Sequence, residues 1–483
     1  MGPPDSFRFG TLLIVSMTIF ILVIDATTIE VSINTLVKDL NTDVSSIQTI
    51  FTIFTLVKAA FFLIGARLQD LIGRKKTFLA GLSIYGVGIF TAAVSQNATM
   101  FLFGWSILEG IGAVMLLPAT LTFITGTYEG KDRSFAFGIW GGVATAASIF
   151  GLIFGGFLTT YYSWRWGLAI ELIIVLTIFA LHGLLKETRP TVFWKNFDLG
   201  GAVLSVLGLM ILVFGILLIK DPTKWLLALI FITGGITLLF GFYFWEIRQI
   251  GNAKGILTQV TIIHERSFLA GSVVAIGQKF ITSGFFFILI LFLEMVTEAT
   301  AYETGIALLP ISLSIIIFSI LGARLASLFE PKYILLCGIV FMGGGLIVLK
   351  DVFSLTTISE YIIPGGLFFG IGLGLVLSQV TNLTISSIRS DCHTDASGMY
   401  NTVRQLGNSL GTAIIGFVLA LGYIHGLFPG ESIVLPSGQP LISLGINEAA
   451  VNQGMEWAFM AMILVVIGMF IAGLFIRKMG KIV

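Results

Sequence analysis

Apolar stretches about as long as a bilayer is thick follow one another from the start of this chain to its end. A helix needs about twenty residues to cross the hydrocarbon core of a membrane. Fourteen stretches qualify, with cores at 11–36, 46–66, 77–95, 100–125, 135–160, 167–185, 199–219, 225–245, 267–293, 302–326, 333–350, 361–387, 397–422 and 456–476. Lipid offers no hydrogen bonds, so each backbone group must be satisfied within its own segment, and such stretches become helices. The expected fold class is an all-α integral membrane protein with 14 transmembrane helices. Only 11% of the 483 residues are charged, and the mean hydropathy is +1.00, which excludes a soluble globular chain. The stretch at 267–293 is the least regular, because Gln278, Lys279 and Glu294 interrupt or end it. The polar lead from Met1 to Arg8 runs straight into apolar sequence without a small-residue cleavage site. A retained first span is expected, not a signal peptide.

Orientation follows from the short loops, because Lys and Arg concentrate on the cytoplasmic side. Nineteen of the 27 Lys and Arg fall on one side of the alternating spans, among them Arg8, Arg67, Arg74, Lys75, Lys76, Lys131, Arg133, Arg248, Arg324 and Arg477. Five fall on the other (Lys38, Arg165, Lys220, Lys224, Lys350), and Lys58, Lys279 and Arg404 are left inside spans. Both termini are then expected in the cytoplasm and the protein in the cell membrane. Charge-bearing breaks at about 186–198 and 246–266 divide the chain into six spans, two and six. The expected units are an N-terminal six-helix half (1–190), an inserted helix pair (191–250) and a C-terminal six-helix half (251–483), with no room for a soluble domain. Two six-helix halves around a central cavity are the plan of a transporter. A net charge of +1 gives no pointer to nucleic acid. Two cysteines exclude a disulfide framework, and no cluster has metal-ligand spacing. No nucleophile–base grouping or phosphate loop is present, so neither an enzyme, nor ATP driving, nor a cofactor is expected.

Several polar segments lie inside this apolar frame. Ala396–Gly411 carries Asn401, Arg404, Gln405 and Asn408 among small residues, a face that must meet protein or water; Gly398, Gly407 and Gly411 would let a second helix come close. Lys58 stands in the middle of span two, where an unpaired charge costs at least ~2.5–3.5 kcal/mol. By depth it is level with Asp25 and Glu109, so a pair with one of them is expected; snorkelling is the alternative. Glu30, Glu171 and Glu294 fall nearer the outer face, as cavity groups or a solvated rim. Arg404 lies about two turns into span thirteen, and Lys279 is mid-span and can line a cavity from the second half. Gly65–Lys76, with Asp70, Gly73, Arg74 and Lys75, suits a tight cytoplasmic latch between spans two and three.

Taken together these segments resemble the major facilitator superfamily, in its fourteen-helix drug:proton antiporter branch. The matching motifs are Ala396–Gly411; Gly65–Lys76, with Ala66 at the usual leading glycine and Leu71 at a usual arginine; Leu22–Glu30 around Asp25 and Thr27; Leu108–Thr120; Ala147–Gly156; Ser163–Trp166; and Phe197–Leu204. Departures run in one direction: Glu30, Glu109, Glu171 and Glu294 are carboxylates where the family usually has amides. Ser106 replaces a span-four arginine and Leu152 the proline of the antiporter motif. The resemblance implies alternating access, with gating at Asp70, Gly73, Arg74 and Lys75. Proton coupling is expected at Asp25, Glu109 and Lys58, and cargo contact at Glu30, Glu171, Lys279, Glu294 and Arg404. The expected function is proton-coupled export of amphipathic, cationic drugs or toxic compounds by a monomer, with protons, a small-molecule cargo and the bilayer as partners. A symporter, a metabolite exporter and a monovalent-cation/proton exchanger share the same pattern. A receptor or scaffold is disfavoured by the cost of burying charges on several helices.

Overall fold

The computed structural model describes residues 5–42, 44–187, 197–218, 224–251, 256–297, 299, 301–354, 359–389, 392–427 and 448–477, and among these no strand occurs. The helices are α1 (Asp5–Glu30), α2 (Ile33–Asp39), α3 (Val44–Ile72), α4 (Arg74–Ala93), α5 (Ala98–Phe101), α6 (Gly110–Thr127), α7 (Gly130–Tyr161), α8 (Trp164–Ala180), α9 (Leu199–Leu218), α10 (Trp225–Gly251), α11 (Arg266–Met295), α12 (Ala301–Leu325), α13 (Pro331–Leu349), α14 (Ser359–Ile385), α15 (His393–Leu427) and α16 (Glu448–Phe475). A π-helical stretch, Leu102–Glu109, joins α5 to α6 without a break. Thirteen spans among the described residues are long and apolar enough to cross a membrane. The remaining expected span falls on α8, whose 17 residues rise about 25 Å, the short end of what a bilayer requires.

The first apolar stretch, expected at 11–36, is divided. α1 stops at Glu30, and Ser32 turns its hydroxyl onto the Thr28 carbonyl at 2.7 Å and onto Thr159 at 2.7 Å, before the short α2 begins. The β-branched run Thr27, Thr28, Ile29, Val31 favours helix weakly, and the serine competes for the backbone.

α1 packs on α6, α7 and α8, and α4 on α6 and α8. Later in the chain α14 packs on α11, α12 and α13, and α16 on α11, α13 and α15. α7 meets α12 and α14, while α3 and α6 meet α15. α9 lies on α3, α10 and α15. Only 17% of the most apolar window of α10 is buried, against 78% for Ala98–Thr127, so α10 is the peripheral helix; Trp225, Phe240 and Phe244 point outward.

Charges assigned to one side of the membrane do meet at one end of the structure. Arg8 pairs with Asp132 at 2.8 Å and the Tyr128 hydroxyl donates to the Arg8 carbonyl, while Lys75 reaches the Leu185 carbonyl at 3.1 Å. At the opposite end, Asp39 receives Arg165 at 2.9 Å and the Trp164 indole at 3.0 Å, and Arg165 also donates to the Ser95 carbonyl at 2.8 Å. The Asn97-Ala98-Thr99 segment serves there as a helix start, with the Asn97 side chain accepting from the Met100 N–H at 2.9 Å.

Candidate functional site

The interior of the first helices is assembled by backbone contact. A Cβ on Gly88 would stand 2.7 Å from the Glu109 nitrogen, and one on Gly112 would stand 2.6 Å from the Tyr85 Cβ, so α4 can lie directly on the π-helical stretch and α6 only with glycine at these positions. This close approach sets Tyr85 beside Glu109. Within the stretch Trp105 and Glu109, four residues apart, face inward together, and both are fully buried. Such π-helical turns recur at functional sites because they redirect side chains that an α-helix would spread apart. On the other side, Thr28 is pressed by α7 and α8: a Cβ on Gly155 would lie 2.8 Å from the Thr28 Cα, and one on Gly167 2.9 Å from its Cγ2.

Asp25 sits at the centre of this arrangement, 1% exposed. The Trp105 indole N–H donates to both its oxygens, at 2.9 and 3.1 Å. Trp105 is itself fixed by Phe54, stacked at 4.3 Å between ring centroids, and by Phe51 and Phe101. Glu109 and Glu171 complete the group: one oxygen from each of the three carboxyls lies within 4.8 Å of the others. Glu171 is expected nearer the outer face, as a cavity group or part of a solvated rim. The structure buries it at 2% exposure, against Asp25 and Glu109. Ser106, at the position of the missing arginine, donates to the Ile50 carbonyl at 2.7 Å and so binds the stretch to α3.

The expected pair between Lys58 and Asp25 or Glu109 is not made. The Lys58 ammonium rests over the Phe54 ring, 4.1 Å from its centre, and no ion pair among the described residues includes it. Phe54 touches both Lys58 and Trp105, so an aromatic ring stands between cation and acid; a cation–π contact replaces the salt bridge. Lys58 nevertheless feels the charges of Asp25, Glu30 and Glu109. Lys279 on α11 is within electrostatic reach of Arg404, Lys58 and Glu30, which brings four of the expected residues from both ends of the chain to one region. Glu30 is exposed at the C-terminal end of α1, within electrostatic reach of Lys58 and Lys279. Arg404 lies over the rings of Trp140 and Tyr400, at 5.7 and 5.5 Å, linking α15 to α7. Glu294 belongs to α11, but its side chain lies outside the described residues.

The latch residues also come together. Gly73 has φ 97°, a conformation that a side chain disfavours, and it starts α4 directly after α3. Arg74 reaches the Thr122 carbonyl at 3.4 Å. Arg67 pairs with Asp70 at 3.1 Å and lies 3.9 Å from Asp395 on α15, so these side chains join the α3–α4 turn to the start of the Ala396–Gly411 segment. The glycines of that segment act as expected. A Cβ on Gly398 would lie 2.6 Å from that of Ala66, and one on Gly407 2.5 Å from the Ile276 oxygen. Sequence reasoning missed Trp105 and Asp395. Trp105 had a signal, its spacing of four from Glu109 on one helix; Asp395 had none beyond its place just ahead of the motif.

The family model of the Major Facilitator Superfamily matches residues 15–412. Among curated proteins, the chain is 25% identical to the puromycin resistance protein of Streptomyces alboniger over 89% of its own length and 86% of that protein's. It is 27% identical to the methyl viologen resistance protein SmvA of Salmonella typhimurium, over 93% and 88%. Among solved structures it is similar to the proton:xylose symporter XylE, with TM-score 0.66 at 13% identity, covering 99% of this chain and 97% of that one. It is also similar to a human organic anion transporter, with TM-score 0.67 at 11% identity, covering 98% and 100%. At those identities the structural likeness speaks for the fold alone.

Proposed function

The chain belongs to the Major Facilitator Superfamily, is a multi-pass membrane transporter and not an enzyme, and we propose that it is a proton-coupled exporter of amphipathic compounds working by alternating access. The observation that carries this reading is the interior acid group. Asp25, held by Trp105 and set beside Glu109 and Glu171, is cut off from bulk water, and no ion pair among the described residues neutralises it. Buried carboxyls without a counter-charge exchange protons as the site opens to either side, because ionisation there forgoes hydration. If cargo and proton oppose each other at these groups, a proton entering from outside drives cargo out. The curated relatives are named for resistance to toxic compounds, which supports export. The working units in this reading are the two six-helix halves, with α9 and α10 packed outside them. Both termini lie in the cytoplasm, the chain works as a monomer in the cell membrane, and the Arg67–Asp70–Asp395 latch holds the cytoplasmic end closed.

Cationic cargo was the expectation from an acid-rich cavity. The acids are mostly held inside the first group of helices, however, and Lys58, Lys279 and Arg404 share their region with Glu30. This favours a second reading of the cargo, as an amphipathic compound carrying an anionic group, with Phe54, Trp140 and Tyr400 as aromatic walls.

The test is uptake of puromycin or methyl viologen into inside-out vesicles acidified within. Export by antiport gives accumulation that stops when the pH gradient is collapsed and is lost in Asp25→Asn. Accumulation that survives collapse, or that requires the gradient in the opposite direction, overturns the reading.

A further inference from the structure

We propose that Asp25, Glu109 and Glu171 form a binding site for an inorganic cation of calcium size within the first group of helices. The three carboxyl oxygens lie within 4.8 Å of one another. Three oxygens no more than 4.8 Å apart share a point no more than about 2.8 Å from each, so a small closure of the carboxyls brings all three to calcium's ligand distance of about 2.4 Å. The side chains are 1%, 0% and 2% exposed. Both oxygens of Glu109 and both of Glu171 are buried without a hydrogen-bond partner. Buried polar atoms are nearly always satisfied, whereas all four oxygens of Glu109 and Glu171 are orphaned, one from each carboxyl lying within 4.8 Å of the other and of Asp25; a cation there would satisfy them. By geometry the Tyr85 hydroxyl beside Glu109 donates to the Ile21 carbonyl at 3.3 Å.

The donor set selects the ion. Three carboxylates without nitrogen or sulfur suit a hard cation, and three negative charges favour a divalent one. Trp105 donates to both oxygens of Asp25 and fixes the orientation of that carboxyl, as supporting groups around metal ligands do. Glu171 also borders a small cavity of about 30 Å³ whose other walls are mostly apolar, among them Phe20, Phe150 and Phe154. A divalent ion leaves the group with one net negative charge, and Lys58 lies within electrostatic reach to balance it. The site is made of the same three acids as the proton-coupling reading but does not depend on it, because ion binding needs no gradient.

Terbium, which takes calcium's oxygen ligands, tests the proposal in the purified full-length protein. Excitation of Trp105 beside the ion should give sensitised terbium emission that saturates and that Ca²⁺ displaces. Glu171→Gln should weaken binding by more than about a hundredfold, beyond the 10–100-fold loss usual for a mere supporting group. Trp105→Phe should lose the sensitised emission and still bind radioactive calcium. Absence of saturable emission from the wild type overturns the proposal, as does emission unchanged in both Glu171→Gln and Glu109→Gln. Should either variant fail to fold, equilibrium dialysis of the wild type decides: one Ca²⁺ per chain supports the site, none refutes it. Failure of gradient-driven export leaves this binding result untouched. Conversely, uncoupling by Asp25→Asn in a protein that binds no ion leaves a proton site only.

Discussion

Arg67→Ala tests the latch that joins α3 to α15. Arg67 stands 3.1 Å from Asp70 and 3.9 Å from Asp395, and the three side chains are 9%, 17% and 12% exposed. Removing the guanidinium leaves two carboxylates facing each other across the junction. Taking one partner from a buried ion pair costs about 3–5 kcal/mol, and partial exposure here lets water recover some of it. We expect about 2 kcal/mol against the latched state, which is about a thirtyfold fall in its population relative to the open one. The assay is a distance distribution between spin labels at Lys76 and Leu328, both exposed at this end, with Cys337 and Cys392 replaced by serine. Arg67→Ala should add a longer component. Asp395→Asn placed on top of it should remove most of that component by ending the repulsion. An unchanged distribution in a folded Arg67→Ala protein refutes the reasoning, and so does a double variant as open as the single one.

Three further outcomes follow. Gly73→Ala should lower stability by roughly 1–2 kcal/mol, since a side chain at φ 97° is strained; thermal unfolding in detergent measures this, and an unaltered midpoint contradicts the conformation. Lys58→Met should weaken an anionic amphipathic cargo about tenfold or more while sparing a cationic one, and Lys58→Arg should retain the preference; equal binding of both cargoes by the methionine variant sinks the anionic reading. Glu246→Ala should cost about 1–3 kcal/mol, because the buried Glu246 accepts the Leu257 N–H at 3.0 Å and its loss strands that donor; denaturation with the lipid composition held constant reads the change.

The helices were legible because membrane spans are set by length and hydropathy alone, a nearly local property. Ala396–Gly411 gave its packing role away for the same reason: small residues at fixed spacing announce a close helix neighbour. The depth of Asp25, Lys58 and Glu109 could also be counted along each helix. Their rotation could not. The π-helical stretch at Leu102–Glu109 resets the facing of every residue after it, and nothing in the composition of that stretch marks it as wider than an α-helix. Glu171, whose depth fitted either a cavity group or a solvated rim, is turned inward by the seating of α8 against Thr28 through Gly167. Lys58 failed as a pair for a similar reason: level with the acids along the axis, it is separated from them by the ring of Phe54.

That separation bears on how binding at one place can influence another. A direct salt bridge between Lys58 and Asp25 would make cargo and cation compete for one contact. With Phe54 between them the interaction is purely through space, and it need not be weak. Two unit charges about 4 Å apart at an effective dielectric of about 20 interact by about 4 kcal/mol, and the energy falls only as the inverse of distance, so a separated pair keeps a large part of it. On the proposed readings, proton or metal loading of the carboxyl group would alter the charge near Lys58, and Lys58 on α3 lies within electrostatic reach of Lys279 on α11. An anionic cargo group seated among Lys58, Lys279 and Arg404 is then held most strongly when the acids carry their least negative charge. A cationic cargo beside Glu30 is favoured by the reverse. The sign of the cargo therefore decides whether loading the carboxyls retains or expels it, and comparing an anionic with a cationic amphipath at two luminal pH values would read that sign directly.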